Sequence, residues 1–282
     1  MIHNRILILG ASGFIGNALY KELLSYFDVF GTYCSQEGLF NDNQVFYRFD
    51  AENDSISDLL SEIQPRFIIS TFTSSNEVQL KVHQELIKYS EVRPSSMIVY
   101  VSCQQVFDAV RKFPSYEYDR PISESAIGKQ KIAVEKLLLE HLENQVTIVR
   151  LPLVLGVNSP WMLQLRKAIK YYAGFEVYPK VIISATTDDK VAQQIHYMVN
   201  KEITGIYHLA SSDMVHHDDL FMEIASKMGD RLPVFKKVFS SNEDIYQAIL
   251  PKENLLPKAY RITIAEVIEF CTLNNEIITF KN

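Results

Sequence analysis

Residues 6–16 read ILILGASGFIG. A short apolar run closes on Gly10, and glycines recur at Gly10, Gly13 and Gly16. Behind them Phe14, Ile15, Ala18, Leu19 and Leu23 keep helical apolar spacing. A strand that closes on a glycine turn and opens a helix is the first half of a dinucleotide-binding βαβ unit. Gly10 turns the chain sharply through backbone angles closed to other residues. Gly13 brings bare backbone close to a pyrophosphate, and Gly16 lets the helix lie close on the strand. The first free N–H groups of the helix, with their partial positive charge, favour an anion there. Cofactor contact is therefore expected at Gly10, Ser12, Gly13, Phe14, Ile15 and Gly16.

Strand and helix patterns alternate from here to residue 151. Apolar runs at 29–33, 45–49, 67–72, 97–101 and 146–151 read as strands. Helical spacing fills 56–63, 78–89 and 130–142. This alternation predicts an α/β fold, a Rossmann-type doubly wound parallel sheet. The second run ends Tyr33, Cys34, Ser35, where an acid that selects NAD through the ribose hydroxyls would stand. Asp28 lies at the opposite end of that run. The cofactor expectation is thus NAD(P), with NADP mildly favoured. The third run ends at Asp50 and the fourth carries Ser70 and Thr71 near its end. Asp50 and Thr71 are expected to border the cofactor.

After Gly156 the rhythm loosens. Helices are expected at 161–172, 188–199, 217–228 and 263–273, with strands at 181–184 and 205–209. The domain expectation is a dinucleotide-binding part at 1–156, completed by elements from 185–210. A small C-terminal substrate lobe at 157–282 would close over a ligand.

The 282 residues carry 47% hydrophobic and 22% charged side chains, ordinary for a globular protein. A formal net charge of −6 gives no reason to expect a nucleic-acid partner. No apolar run approaches the ~18 residues of a membrane span. Cys34, Cys103 and Cys271 lie far apart without metal or redox spacing, so reduced thiols in a cytoplasmic protein are expected. His216, His217, Asp218 and Asp219 lack recognised ligand spacing, and no metal site is assigned to them. Aromatic residues in 161–178 suit either a base-stacking surface or the core of the lobe. Arg150 is expected to anchor the loop after its strand.

Five segments occur in order: GASGFIG at 10–16, VSCQQVFD at 101–108, GKQKIAVEK at 128–136, VRLPLVLG at 149–156 and GIYHLAS at 205–211. Together they resemble the extended short-chain dehydrogenase/reductases, in the branch of dTDP-4-dehydrorhamnose reductase and related nucleotide-sugar reductases and epimerases. The resemblance implies hydride transfer between a nicotinamide and a sugar carbon, a nucleotide-sugar-like ligand and a place in polysaccharide biosynthesis. It further implies a Y-x-x-x-K pair, assisted by a serine or threonine, that handles the proton. Lys131 matches the lysine, which lowers the tyrosine pKa and holds the nicotinamide ribose. Ser102 and Cys103 fall at the hydroxyl positions. Four residues before Lys131 the chain has Ile127, which cannot give or take a proton. Losing a positioned acid costs roughly 10²–10⁴ in rate. Tyr116 and Tyr118, in the preceding loop, are the candidate substitutes.

Two functions follow. One is an NAD(P)-dependent reductase or epimerase with an altered proton donor. The other is a non-catalytic scaffold or regulatory protein, working as a homodimer or with a protein partner. The same branch holds the regulatory subunit of methionine adenosyltransferase.

Overall fold

The computed structural model describes residues 4–35, 44–229 and 231–279, the last six as backbone alone. The run ILIL at 6–9 falls in β1 (Arg5–Leu9), the middle of a parallel sheet covered on both faces. Ile6 and Ile8 point into one core, and Leu7 and Leu9 into the other. This is why the run is continuously apolar rather than alternating.

The chain proceeds through α1 (Phe14–Leu23), β2 (Asp28–Tyr33), β3 (Phe46–Arg48), α2 (Ile56–Ile63) and β4 (Phe67–Ser70). Then come α3 (Asn76–Glu91), β5 (Met97–Cys103), α4 (Ala126–Leu142) and β6 (Val146–Leu151). Beyond β7 (Leu153–Leu155), α5 (Pro160–Tyr171), β8 (Gly174–Val177), β9 (Val181–Ile183) and β10 (Ala185–Thr187), the chain returns to the main sheet. It does so through α6 (Asp188–Lys201) and β11 (Gly205–His208). Among the described residues the sheet has seven strands in the order β11-β6-β5-β4-β1-β2-β3, all parallel. Helix α6 packs beside α1 over one face, while α2, α3 and α4 cover the other. This is a Rossmann-type α/β fold.

A second, smaller group of elements has its own core. It contains β12 (Val215–His216), α7 (His217–Lys227), β13 (Val234–Lys237), β14 (Ile245–Tyr246) and α8 (Ile264–Thr279), together with α5, β8 and β9. Met162, Leu165, Phe175, Phe221, Ile224 and Val267 are buried together there. Trp161 packs against Phe175, His217 and Phe221, so this aromatic group serves packing, while Tyr171 and Tyr172 stay exposed. No described helix is long and apolar enough to cross a membrane.

Candidate functional site

The glycine turn sits at the carboxyl end of β1. Gly10 has φ +82°, a left-handed conformation that L side chains rarely adopt. Its N–H donates to the Thr32 hydroxyl at 2.9 Å, and the Thr71 hydroxyl donates to Leu9 O at 2.8 Å. The turn is thereby tied to the ends of β2 and β4. A Cβ built on Gly16 would lie 2.2 Å from Gly10 O, so α1 touches the turn backbone to backbone. A Cβ on Gly13 would meet only Gly10 O, at 3.3 Å. The surface above Gly13 is exposed.

Helix α1 is short of local partners for its first N–H groups. Its N-cap, Gly13, has no side chain to accept them, and its first turn carries no acid. By contrast Ser55, Ser75, Ser125, Ser159 and Thr187 cap α2 to α6 with side-chain oxygens. Beside this helix end lies a cavity of about 670 Å³ lined by Gly10, Ser12, Gly13, Thr32, Asp50 and Thr71 among others. Residues 71–75 form one wall, and Gln130 of α4 holds it by donating to Ser74 O at 2.8 Å.

The other expected contacts lie at several places around the turn. Asp50 borders the cavity, and its carboxylate accepts from Glu52 N and the Asn53 side chain within its own turn. Those hydrogen bonds, the Asn53 bond first, hold its pKa below the ordinary value. Ile15 packs into the core between α1 and the sheet. Phe14 faces a second cavity of about 500 Å³ on the other flank of α1, near Asn17, Lys21 and Asp188. Gly16 is buried and acts through helix packing.

The proton-handling residues divide. Lys131 is 6% exposed, and its ammonium donates to Val101 O at 2.9 Å, 4.8 Å from the centre of the Tyr100 ring. Burial lowers its pKa, while Cys103 and Glu135 act in the opposite direction. Its i, i+4 neighbour Glu135 pairs elsewhere, with Arg150 at 2.7 Å, both side chains fully buried. Ser102 is buried and donates to Glu135 Oε1 at 2.5 Å. Its hydroxyl belongs to this network. Arg150 also lies 3.4 Å from His208 Nε2 and does not anchor the loop after β6. Cys103 is half-buried at the end of β5, its thiol donating to Gln105 Oε1 at 3.1 Å. Burial raises the thiol pKa.

Ile127 is 51% exposed in the first turn of α4, one turn before Lys131. Tyr116 and Tyr118, the candidate substitutes, meet another group. They stack on each other at 5.7 Å beneath the ammonium of Lys252, which donates to the Tyr118 hydroxyl at 3.1 Å. Neither lines the cavity described above. His217 is buried against Trp161, Tyr178 and Phe221, and Asp218 pairs with Lys237 at 3.6 Å, while His216 lies 3.9 Å from Asp219 and 3.7 Å from Asp244.

Sequence reading missed Thr32, Gln130 and the partners of Glu135. Thr32 carried a usable signal, a small polar residue near the end of the strand beside the turn. The other two depend on tertiary contacts that spacing does not encode.

Glycine turn, uncapped helix and flanking cavity define the class: a dinucleotide-type Rossmann protein with a lobe beside its sheet. The chain belongs to the family described as the RmlD substrate binding domain, whose model matches residues 4–251. It is similar to the beta subunit of methionine adenosyltransferase 2 of Danio rerio, 25% identical over 165 residues. That match takes in 55% of this chain and about half of the relative, 49%. Among solved structures it resembles a hypothetical dTDP-4-dehydrorhamnose reductase from Sulfolobus tokodaii, with TM-score 0.75 and 21% identity over 87% of this chain and 91% of that one. It also resembles the dTDP-4-dehydrorhamnose reductase of Bacillus anthracis in complex with NADP, with TM-score 0.74 and 19% identity over 96% and 99%. At these identities the structural likeness shows the fold.

Proposed function

We propose that the chain binds NAD(P), with NADP preferred, together with a nucleotide-sugar-like ligand, and that it transfers hydride slowly. The observation that carries this reading is Ile127, exposed on α4 one turn before Lys131, in a chain that keeps the glycine turn. The cradle fits a dinucleotide because its helix N-terminus has neither cap nor acid and opens beside a long cavity. The backbone at 10–14 would hold the pyrophosphate, and the ends of β2 and β4 would border the adenosine side. No carboxylate follows β2 at Cys34 or Ser35 to repel a 2′-phosphate. Bound NAD(P) supplies or accepts a hydride.

The chain's own groups handle the proton poorly. Ile127 has none to give. The Cys103 thiol keeps its proton at neutral pH because burial raises its pKa. It is a donor held by Gln105. Loss of the positioned acid costs roughly 10²–10⁴ in rate. The test is NADPH oxidation with a panel of 4-keto nucleotide sugars, for the native chain and Ile127→Tyr. Slow native turnover and a gain of at least about tenfold in the variant support the reading. Native turnover at the rate of an ordinary reductase contradicts it.

A second reading has one observation in its favour: the zebrafish relative is named as a subunit of another enzyme. The dinucleotide fold would then serve a protein partner or a second copy of the chain. An Ile127→Tyr chain that binds NADPH yet remains inert supports it.

A further inference from the structure

Tyr171 and Tyr172 take no part in the aromatic packing of the lobe, and both are exposed. Tyr172 is the C-cap of α5 and has φ +48°, in the left-handed region that favours glycine. Among the described residues two other non-glycine residues share this conformation at a helix end, Gln64 and Glu202, and both carry polar side chains. A bulky aromatic residue is strained there. With 59% of its surface exposed, Tyr172 recovers little of that strain by burial within the chain.

The two tyrosines lead into β8, and Arg231 and Leu232 lead toward β13. The two strands run parallel, with Val234 N donating to Ala173 O at 3.1 Å, so both approaches lie at one end of the ribbon. Beyond them β13 is an open edge. Among the described residues it pairs with β8 alone. Val234 N and Val238 N donate to β8, so by the alternation of a parallel ladder Phe235 and Lys237 turn their N–H and C=O groups outward. The apolar side chains along the strand are open too, Val234 being 56% and Phe239 62% exposed. An exposed apolar edge of this kind is a template for one further strand.

Charge selects that strand. The Lys170 ammonium lies 5.4 Å from the centre of the Tyr171 ring, and the Arg231 guanidinium 5.8 Å from that of Tyr172. A Cβ built on Gly174 would lie 2.2 Å from Lys236 Cε, so this lysine stem lies across β8. Among the described residues none of these three cations forms an ion pair, whereas Lys237 pairs with Asp218 at 3.6 Å. A two-fold pairing of the edge with a second copy, centred on its lysines, sets lysine against lysine, which is unfavourable. We propose that the open edge of β13, headed by Tyr171 and Tyr172, is a docking surface for an extended acidic segment of a second protein, which adds to β13 as a strand. Carboxylates of the incoming segment meet Arg231 and Lys236, and its apolar side chains cover Val234 and the tyrosine rings. None of these residues lines either cavity beside the glycine turn, so the surface is independent of the cofactor.

The experiment is fluorescence anisotropy of the whole chain with a dye-labelled nine-residue peptide alternating glutamate and valine. Two control peptides have lysine for every glutamate, or a methyl on every backbone nitrogen. The glutamate peptide is expected to bind at least about tenfold tighter than either control. The double variant Arg231→Glu with Lys236→Glu should weaken it at least about tenfold and leave NADPH affinity unchanged. Absence of binding by the glutamate peptide overturns the proposal. So does equal binding by the methylated peptide, which cannot pair as a strand, or an undiminished double variant. Tighter binding of an oligothymidylate than of the peptide also overturns it, by making the patch a nucleic-acid surface. A native dimer in sedimentation that Val234→Glu dissolves overturns it as well, by placing a second copy on the edge. If the double variant fails to fold, the peptide series on the native chain decides alone. Failure of NADPH binding counts against the proposed function only.

Discussion

At the scale of single residues, one backbone-close contact and one buried ion pair carry most of the account. Gly16→Ala places a Cβ 2.2 Å from Gly10 O, a backbone atom that cannot swing aside. Overpacking of this kind costs typically 1–3 kcal/mol, so a lower unfolding temperature and weaker NADPH binding are expected together. The Glu135–Arg150 pair makes a different prediction. Arg150→Met leaves the Glu135 carboxylate buried without its partner, a loss of roughly 3–5 kcal/mol in urea denaturation. The double variant Glu135→Leu with Arg150→Met should recover part of that loss. The glycines were legible in the sequence because turn geometry is local. Glu135 was not. Its partner stands on β6, and only the folded sheet brings Arg150 beneath α4. Ser102 joins that network for the same reason, its hydroxyl donating to Glu135.

At the scale of elements, the N-terminus of α1 is the informative one. Gly13 sits at φ −77° and ψ 170°, angles that any residue adopts. Gly13→Asp can therefore cap α1 without backbone strain, and the exchange changes stability by only a few tenths of a kcal/mol. The same carboxylate occupies the N–H groups and repels a pyrophosphate. The expected outcome is an unchanged melting temperature with NADPH affinity lost. An unchanged affinity would remove the cradle from the account. Long elements were readable from their period: residues 56–63 and 146–151 fall where apolar spacing put them. The two-to-four-residue strands β7, β8, β10 and β12 to β14 were not all visible. A period cannot be recognised over so few residues, and their pairing is decided by the neighbouring chain. Tyr116 and Tyr118 were ambiguous because loop residues take their direction from what they pack on, here Lys252.

At the scale of the whole molecule, charge burial sets a pH limit. Burial holds His83 and His217 at pKa values of about 4, and burial with the Arg150 charge holds His208 at about 3, against an ordinary 6.5. The unfolded chain therefore takes up protons near pH 6.5 that the folded chain refuses. Their contribution to stability is present above that pH and is lost as the pH falls toward 4. Asp188 opposes this over a narrower range. Burial first, then Asp189, raises it from 3.8 to about 6, so its contribution grows as the pH falls through that value. Burial raises Asp189 as well, and the three histidines against these two acids predict a lower unfolding temperature at pH 5 than at pH 7 by scanning calorimetry; a rise would contradict the assignment. The central claim concerns the cradle and the missing acid together: the cofactor site is kept and the proton donor is not. Its most direct test is titration of the native chain with NADPH and NADH, followed by nicotinamide fluorescence. The account predicts saturable binding, tighter for NADPH, with the reduced signal persisting when a 4-keto nucleotide sugar is added. Absence of any binding, or rapid loss of the signal on adding that sugar, would contradict it.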